Sequence, residues 1–405
     1  MRFSDVIGQE DIKEKLRSLA TNDRLGHAIL LLARQGTGGL PLALAFAQYL
    51  LCDAVKGPTT TPATAPSLFG EAPAAASADA PRQRPSDSCG QCPSCRKVGG
   101  LAHPDLHFSY PVISRKPGSP SLSSDYAAEW RDFVSQYPYG NDFDWLQFIG
   151  AENRQGKIFA AECVDIHRRL SLKSYEGGLK ILVIWMPEYL EKEGNRLLKL
   201  IEEPPDGTLL LLIAEEQGEI LPTILSRIQL LRLPPLDTAA IAGALVARCG
   251  TEPQRAGTVA AMAEGSYREA LSLLQHHEDD WLSVARDWLN AILRNGPVAQ
   301  VRWVDELGKH GREKQKQFLR YMCHLVEAAI RIRSLGTAAG CQEAEADFAV
   351  KLNRVAGLGQ LEAMATEMEK AAYQVERNAN GKILFLALTL RIHHIIRDNS
   401  VILVS

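Results

Sequence analysis

The sequence predicts an α/β domain built on a parallel sheet and carrying a cysteine module, followed by a small helical domain and a larger all-helical one. Three observations carry this. A short apolar run, His27-Ala-Ile-Leu-Leu-Leu32, leads into a glycine-rich turn and then an apolar helix. Further β-prone runs at Leu179–Trp185, Leu209–Ala214 and Ile228–Leu233 alternate with helical stretches, as parallel strands joined by crossover helices do. Beyond Pro234-Pro235 the apolar residues recur at helical spacing only.

Taken in order, Ile12, Leu16, Leu19 and Ala20 mark a first helix. After the strand at 27–32 and the turn Gln35-Gly-Thr-Gly-Gly39, residues 42–51 form an apolar helix, so strand, glycine turn and helix follow as in a phosphate-binding unit. Residues 53–88, rich in Pro, Ala, Thr and Ser, have too few large apolar groups to offset the entropy of ordering and read as a disordered insertion. Residues 107–157 lack clear periodicity but hold Trp130, Phe133, Trp145 and Phe148, the mark of a partly packed insertion. A helix over 160–170 precedes the strand at 179–185. A helix over 194–203 must stop before Pro204-Pro205, because a residue ahead of proline is pushed out of the helical region. A short helix through Ile224 leads to the last strand. The expected domains are 1–233, 234–280 and 281–405, the last with long amphipathic stretches such as Trp303 to Ile332 and Ile383 to Ile396.

Bulk properties exclude some classes. A length of 405 residues calls for two or three cores, and a formal net charge of −3 gives no global attraction to nucleic acid or membrane, so any DNA contact is local. The opening segment lacks the apolar core of a signal peptide, and no apolar run reaches the roughly 18–20 residues that span a bilayer. The expected compartment is the cytoplasm. Cys163, Cys249, Cys323 and Cys341 are scattered, as buried or free thiols are, whereas Cys52, Cys89, Cys92 and Cys95 form a group.

In Cys89-Gly-Gln-Cys92-Pro-Ser-Cys95, two interlocked C-x-x-C steps let thiolates converge on one tetrahedral ion. Zinc is the expected metal, with Cys52 as fourth ligand and His103 as the alternative; free thiols are the plainer reading. Four protein ligands leave no open position, so this zinc is structural. At the glycine turn, a P-loop needs a lysine to neutralise phosphate charge and a hydroxyl residue to hold magnesium, but Gly39 and Leu40 stand there. Gly36, Gly38 and Gly39 could still let backbone N–H groups approach an anion. A Walker B strand should end in an aspartate, yet Val183-Ile-Trp-Met-Pro-Glu188 offers Trp185 and Met186, and Glu188 reads as a solvated surface carboxylate rather than a displaced general base. No ATP hydrolysis is expected. His393-His394 reads as a mixed core and surface pair, and His276-His277 as a solvated linker.

The tract Asn195-Arg-Leu-Leu-Lys-Leu-Ile-Glu-Glu-Pro-Pro205, followed by a strand-forming run and then Leu225-Ser226-Arg227-Ile228, resembles the clamp-loader AAA+ family, in which such a helix precedes the sensor 1 strand and an S-R-C motif. Here the cysteine is replaced by Ile228. Val6-Ile7-Gly8-Gln9, the cysteine module, His103-Pro-Asp105 and Gly265-Ser-Tyr-Arg268-Glu-Ala-Leu271 are similar to family features, and Glu376-Arg-Asn-Ala-Asn380 is similar to part of its collar domain. The resemblance implies an AAA+-like domain, a lid and an all-α collar that assembles into a five-membered ring. Loss of the lysine and aspartate with retention of Ser226 and Arg227 is similar to the delta-prime type and unlike the gamma/tau motors. It implies gamma/tau-type and delta-type partners, with the sliding clamp and primed DNA as targets. Arg227 would then act in trans as an arginine finger on a neighbour's γ-phosphate, supported by Ser226. Arg268 falls at the family's sensor 2 arginine, and either contacts nucleotide or packs domains together. The rival readings are an active gamma/tau-type ATPase and a zinc-stabilised adaptor outside replication.

Overall fold

The structure is a computed structural model and describes residues 1–22, 25–56, 85–115, 120–151, 154–176, 178–275, 281–336, 343–376 and 379–398. The chain divides into two compact units, one of residues 1–244 with 264–269, the other of residues 245–263 with 270–405. The bulk of the 53–88 insertion, the His276-His277 segment, Cys341 and part of the 376–380 tract lie outside the described residues.

The first unit is built on a parallel five-stranded sheet. Its strands are β1 (Ala28–Leu32), β2 (Leu106–Ser109), β3 (Lys180–Trp185), β4 (Thr208–Ala214) and β5 (Gln229–Arg232), in the spatial order β2-β3-β4-β1-β5. Every residue of β3 and β4 is buried, which explains their near-continuous apolar sequences: strands covered on both faces have no solvated side. Ile29, Leu31, Val183, Leu211 and Ile213 pack into one core with the helix Gly39–Leu51. Leu30, Leu182, Leu210 and Leu212 pack into the other with the helices Ala160–Ser171 and Leu198–Glu202. The register sets Leu30 beside Leu212 and Leu182 beside Leu210, and a slip of one residue would turn each strand's side chains to the wrong core.

Four strands fall within a residue of the sequence expectation. Strand β2 was not expected. Among the described residues it is an edge strand of four residues, paired with β3 alone, and too short to show a period. The helix expected over 194–203 is a run of tight 3-10 turns over Pro187–Leu197 and then the short helix Leu198–Glu202, ending ahead of Pro204.

The 107–157 stretch is a packed part of this unit rather than a loosely held insertion. It contributes most of β2 and then the helices Ala127–Gln136 and Asp142–Phe148. Trp130 stacks on Tyr110 at 4.1 Å between ring centroids and meets Trp145 edge-on at 5.2 Å and Trp185 of β3 at 5.1 Å. Trp145 is fully buried and its Nε1 donates to the Pro111 carbonyl at 2.7 Å. Replacing Trp145 by Ala is expected to cost about 3–5 kcal/mol through the cavity and the carbonyl left without its donor. Urea unfolding of the variant checks this; a midpoint equal to wild type would contradict it.

The second unit is helical among its described residues. Its helices include Trp281–Asn290, Gly296–Leu307, Arg312–Leu335, Glu343–Val355, Leu358–Glu376 and Gly381–Asp398. Phe318, Met322, Leu325, Val326 and Ala329 repeat at helical spacing and are all fully buried. Trp288 stacks on Trp303 at 5.2 Å, and its Nε1 donates to Thr389 Oγ1 at 3.0 Å, so the buried indole loses no hydrogen bond. The continuous stretch expected from Trp303 to Ile332 is broken at residues 308–311, where Gly308 and Gly311 flank the turn between two helices. The helices Thr238–Cys249, Pro253–Met262 and Tyr267–Gln275 occupy the stretch expected to be a small helical domain, and their residues divide between the two units. Among the described residues no helix is long and apolar enough to cross a membrane.

Candidate functional site

The strand order reverses at β1 and β4, and the crevice outside the carboxyl ends of two such strands is where open α/β sheets bind ligands. The glycine loop lies there. Gly36 and Gly38 have φ values of 71° and 97°, a left-handed conformation that L side chains resist, so the tight turn into the helix at Gly39 depends on them. Gly39 is required by space: a Cβ there would lie 2.6 Å from Ala33 Cβ and 2.9 Å from Ile213 Cγ2. Lysine, the residue a phosphate-binding loop needs, could not enter without moving the helix off the sheet.

The crevice is almost filled. About 20 Å³ remains, room for a single water, between Gly38, Gly39, Tyr139, Trp185, Met186 and Glu215. Tyr139 is 4% exposed and its hydroxyl accepts the Ile7 N–H at 2.9 Å. Asn141 Nδ2 donates to Gln35 Oε1 at 3.0 Å. Arg268 does not point at an empty phosphate site. Its Nε and Nη2 donate to Asp144 Oδ2 and Oδ1, each at 2.6 Å, in a bidentate pair with 11% and 23% of the side chains exposed. Glu188 is not the solvated surface carboxylate expected from the sequence. It accepts the backbone N–H groups of Glu215 and Glu216 at 2.6 and 3.0 Å, and burial pushes its carboxyl above the usual range. Burial, with Asp142 and Glu188 nearby, raises Glu215 further still.

The four grouped cysteines converge. Cys52 ends the helix Gly39–Leu51, and Cys92 opens the helix Pro93–Gly99 with its Sγ accepting the Cys95 N–H. All four sulfurs lie within 4.8 Å of one another, with Cys52 to Cys89 at 3.6 Å and Cys89 to Cys95 at 3.9 Å. A tetrahedron of Zn–S bonds has edges of about 3.8 Å, so the donors fit that ion. N–H groups of Gln91 and Cys92 lower the Cys89 thiol, whereas burial raises those of Cys92 and Cys95. His103, the alternative fourth ligand, is engaged elsewhere: one ring nitrogen pairs with Glu176 at 3.0 Å and the other accepts the Asp105 N–H at 3.1 Å. Glu176 also takes Lys97 at 2.5 Å and Ser94 at 3.2 Å, tying the module to the turn before β3.

Ser226 and Arg227 follow the one-turn helix Pro222–Leu225. Arg227 Nη1 donates to the Thr223 carbonyl and to Ser226 Oγ, both at 2.9 Å, and Nε donates to Glu202 of the Glu-Glu-Pro-Pro tract. The guanidinium side chain stays 38% exposed. Sequence reasoning missed Tyr139, Asn141 and Asp144, and read Glu202 as part of the family tract without its tie to Arg227. Only Asn141 carried a local signal, three residues ahead of Asp144 at a helix start, and that signal marks a cap rather than a partner.

Residues 72–237 match the family model described as DNA polymerase III, delta subunit. DNA polymerase III subunit delta' of Escherichia coli (strain K12) is 26% identical over 323 residues, 78% of this chain and 74% of that one. Its counterpart in Bacillus subtilis (strain 168) is 25% identical over 270 residues, covering 67% and 60%. The chain resembles a delta-prime subunit of the DNA polymerase III clamp loader. The tau subunit of Bacillus subtilis (strain 168) is also similar, at 25% identity over 321 residues, but the match covers only 44% of tau. A gamma subunit-related protein of Thermotoga maritima overlays with a TM-score of 0.37 and 13% identity over 94% of this chain and 99% of that one. The delta-prime resemblance therefore rests on sequence, and the parallel sheet on this chain's own strands.

Proposed function

We propose that this chain is a delta-prime-type subunit of the DNA polymerase III clamp loader, hydrolysing no ATP itself and presenting Arg227 to the active site of a neighbouring ATPase subunit. One observation carries the reading. Gly39 and Leu40 replace the lysine and hydroxyl, and Trp185 and Met186 the aspartate, while Ser226-Arg227 is kept and held half-exposed at the surface. An arginine without a phosphate site of its own is free to serve a neighbour's across an interface. Residues 234–280 then serve as lid and 281–405 as collar, the partners are gamma/tau-type and delta-type subunits in a five-membered assembly, and the sliding clamp and primer-template DNA are what it acts on, in the cytoplasm. Zinc at Cys52, Cys89, Cys92 and Cys95 holds the module together and takes no part in chemistry.

The isolated chain is expected to turn over ATP with magnesium no faster than a buffer blank. Turnover abolished by changing Gly36 would instead favour a gamma/tau-type motor, for which the tau similarity speaks. Copurification with proteins other than the replicative polymerase would favour a zinc-stabilised adaptor.

A further inference from the structure

We propose that the chain carries its own occupant of the phosphate site: Tyr139, Asn141 and Asp144 fill and neutralise it, and hold segment 264–269 on the glycine loop with no ligand. The proposal rests on reading that loop as a degenerate phosphate site, and goes beyond it by naming what sits there.

Space, charge and closure each support it. The Tyr139 ring lies on the turn itself, with its Cε1 3.1 Å from where a Cβ on Gly38 would be, so it covers the backbone that would otherwise cradle an anion. The space left is that of one water, too little for a phosphate. Asp144 offers Arg268 two carboxylate oxygens in the planar fork geometry with which an arginine grips phosphate, and so takes the anion's place. Asp142, Glu188 and Glu215 add acidic groups around the same crevice, and Tyr189 donates its hydroxyl to Asp142. Burial raises Glu188 and Glu215 toward their neutral forms, so the counter-charge to Arg268 is that of Asp144.

Closure needs no nucleotide either. The Tyr267 N–H donates to the Gly36 carbonyl at 3.0 Å, and the Leu236 N–H to the Gly265 carbonyl at 3.0 Å. Tyr267 meets Tyr139 edge-on at 5.0 Å. Contact at Gly36 is so close that a Cβ there would lie 2.2 Å from Ser266 Oγ and 2.9 Å from the Arg268 nitrogen. Asn141 both caps the helix Asp142–Phe148, which carries Asp144, and bonds Gln35 of the loop, so one short segment fixes filler, counter-charge and loop together.

The test uses the full chain and inorganic triphosphate as probe, read by thermal unfolding. Wild type is expected to show no rise in midpoint at millimolar triphosphate. Asp144→Ala, which removes the bidentate partner of a largely buried arginine, is expected to lower the midpoint by roughly 5–10 °C, with much of the loss regained on adding triphosphate. Asp144→Ala with Arg268→Ala should lose that rescue. Tyr139→Ala with Asp144→Asn removes the covering ring and the counter-charge together, and is expected to show the same triphosphate-dependent rise should the alanine variant fail to fold. A midpoint for wild type that climbs with triphosphate, or a Tyr139→Ala, Asp144→Asn variant indifferent to it, overturns the proposal. Wild type that binds ATP without hydrolysing it sinks this inference alone, whereas ATP turnover sinks the non-hydrolysing reading.

Discussion

Arg227→Ala is expected to leave the chain folded and able to assemble, yet to slow DNA-stimulated ATP hydrolysis and clamp loading by the rebuilt complex. Two magnitudes separate these effects. Within the chain, Arg227 pairs with Glu202 across a surface where both side chains are more than a third exposed, and such pairs contribute at most about 1 kcal/mol, so the variant should melt close to wild type. Across an interface, a guanidinium set against the charge developing on a γ-phosphate is worth about 10³–10⁵ in turnover at the site it serves. Total turnover should fall less, because the other ATP sites do not depend on this arginine. Lysine should rescue poorly, since an ammonium lacks the planar fork that pairs with phosphate oxygens. Equal rates at equal assembly would make Arg227 a structural residue and the chain a scaffold.

The second large effect concerns the cysteine module. Metal analysis of the purified chain is expected to give one zinc per chain, and Cys52→Ser to release it, because the three remaining sulfurs leave the tetrahedron one thiolate short. Structural zinc contributes about 10–16 kcal/mol in small zinc-binding peptides, and the share felt here is whatever the surrounding core does not already supply. Cys52 and Cys95 are both buried, so loss of the ion should loosen the helix Pro93–Gly99 and its packing on the helix Gly39–Leu51 rather than unfold the sheet. Protease sensitivity confined to residues 85–105 would report this. His103→Ala should keep the zinc and weaken only the tie through Glu176. Zinc retained by Cys52→Ser and lost by His103→Ala would reverse the ligand assignment.

Most of the sheet was legible because buried parallel strands must be apolar at nearly every position, and Leu179–Trp185 and Leu209–Ala214 are such runs. The cysteine group was legible because ligand spacing is local: Cys89, Cys92 and Cys95 bracket one turn, and only the distant Cys52 had to be argued. Strand β2 was not, since Leu106-His-Phe-Ser109 is too short to declare a period and draws its order from β3 beside it. The filling of the phosphate site was legible least of all. Asp144 and Arg268 are 124 residues apart, and nothing local to either says that they meet. Absent residues, the lysine and the aspartate, are visible in a motif; what stands in their place comes from the packing of Tyr139, in the turn before the helix Asp142–Phe148, against the loop.

The most direct measurement is hydrolysis in rebuilt complexes where only one ATPase subunit at a time keeps a competent site, each made with wild-type or Arg227→Ala chain. Turnover reduced by about 10³ or more in one arrangement, and unchanged in the rest, is the expected result. Equal turnover in every arrangement would contradict it, and would remove the claim that this chain completes a neighbour's active site.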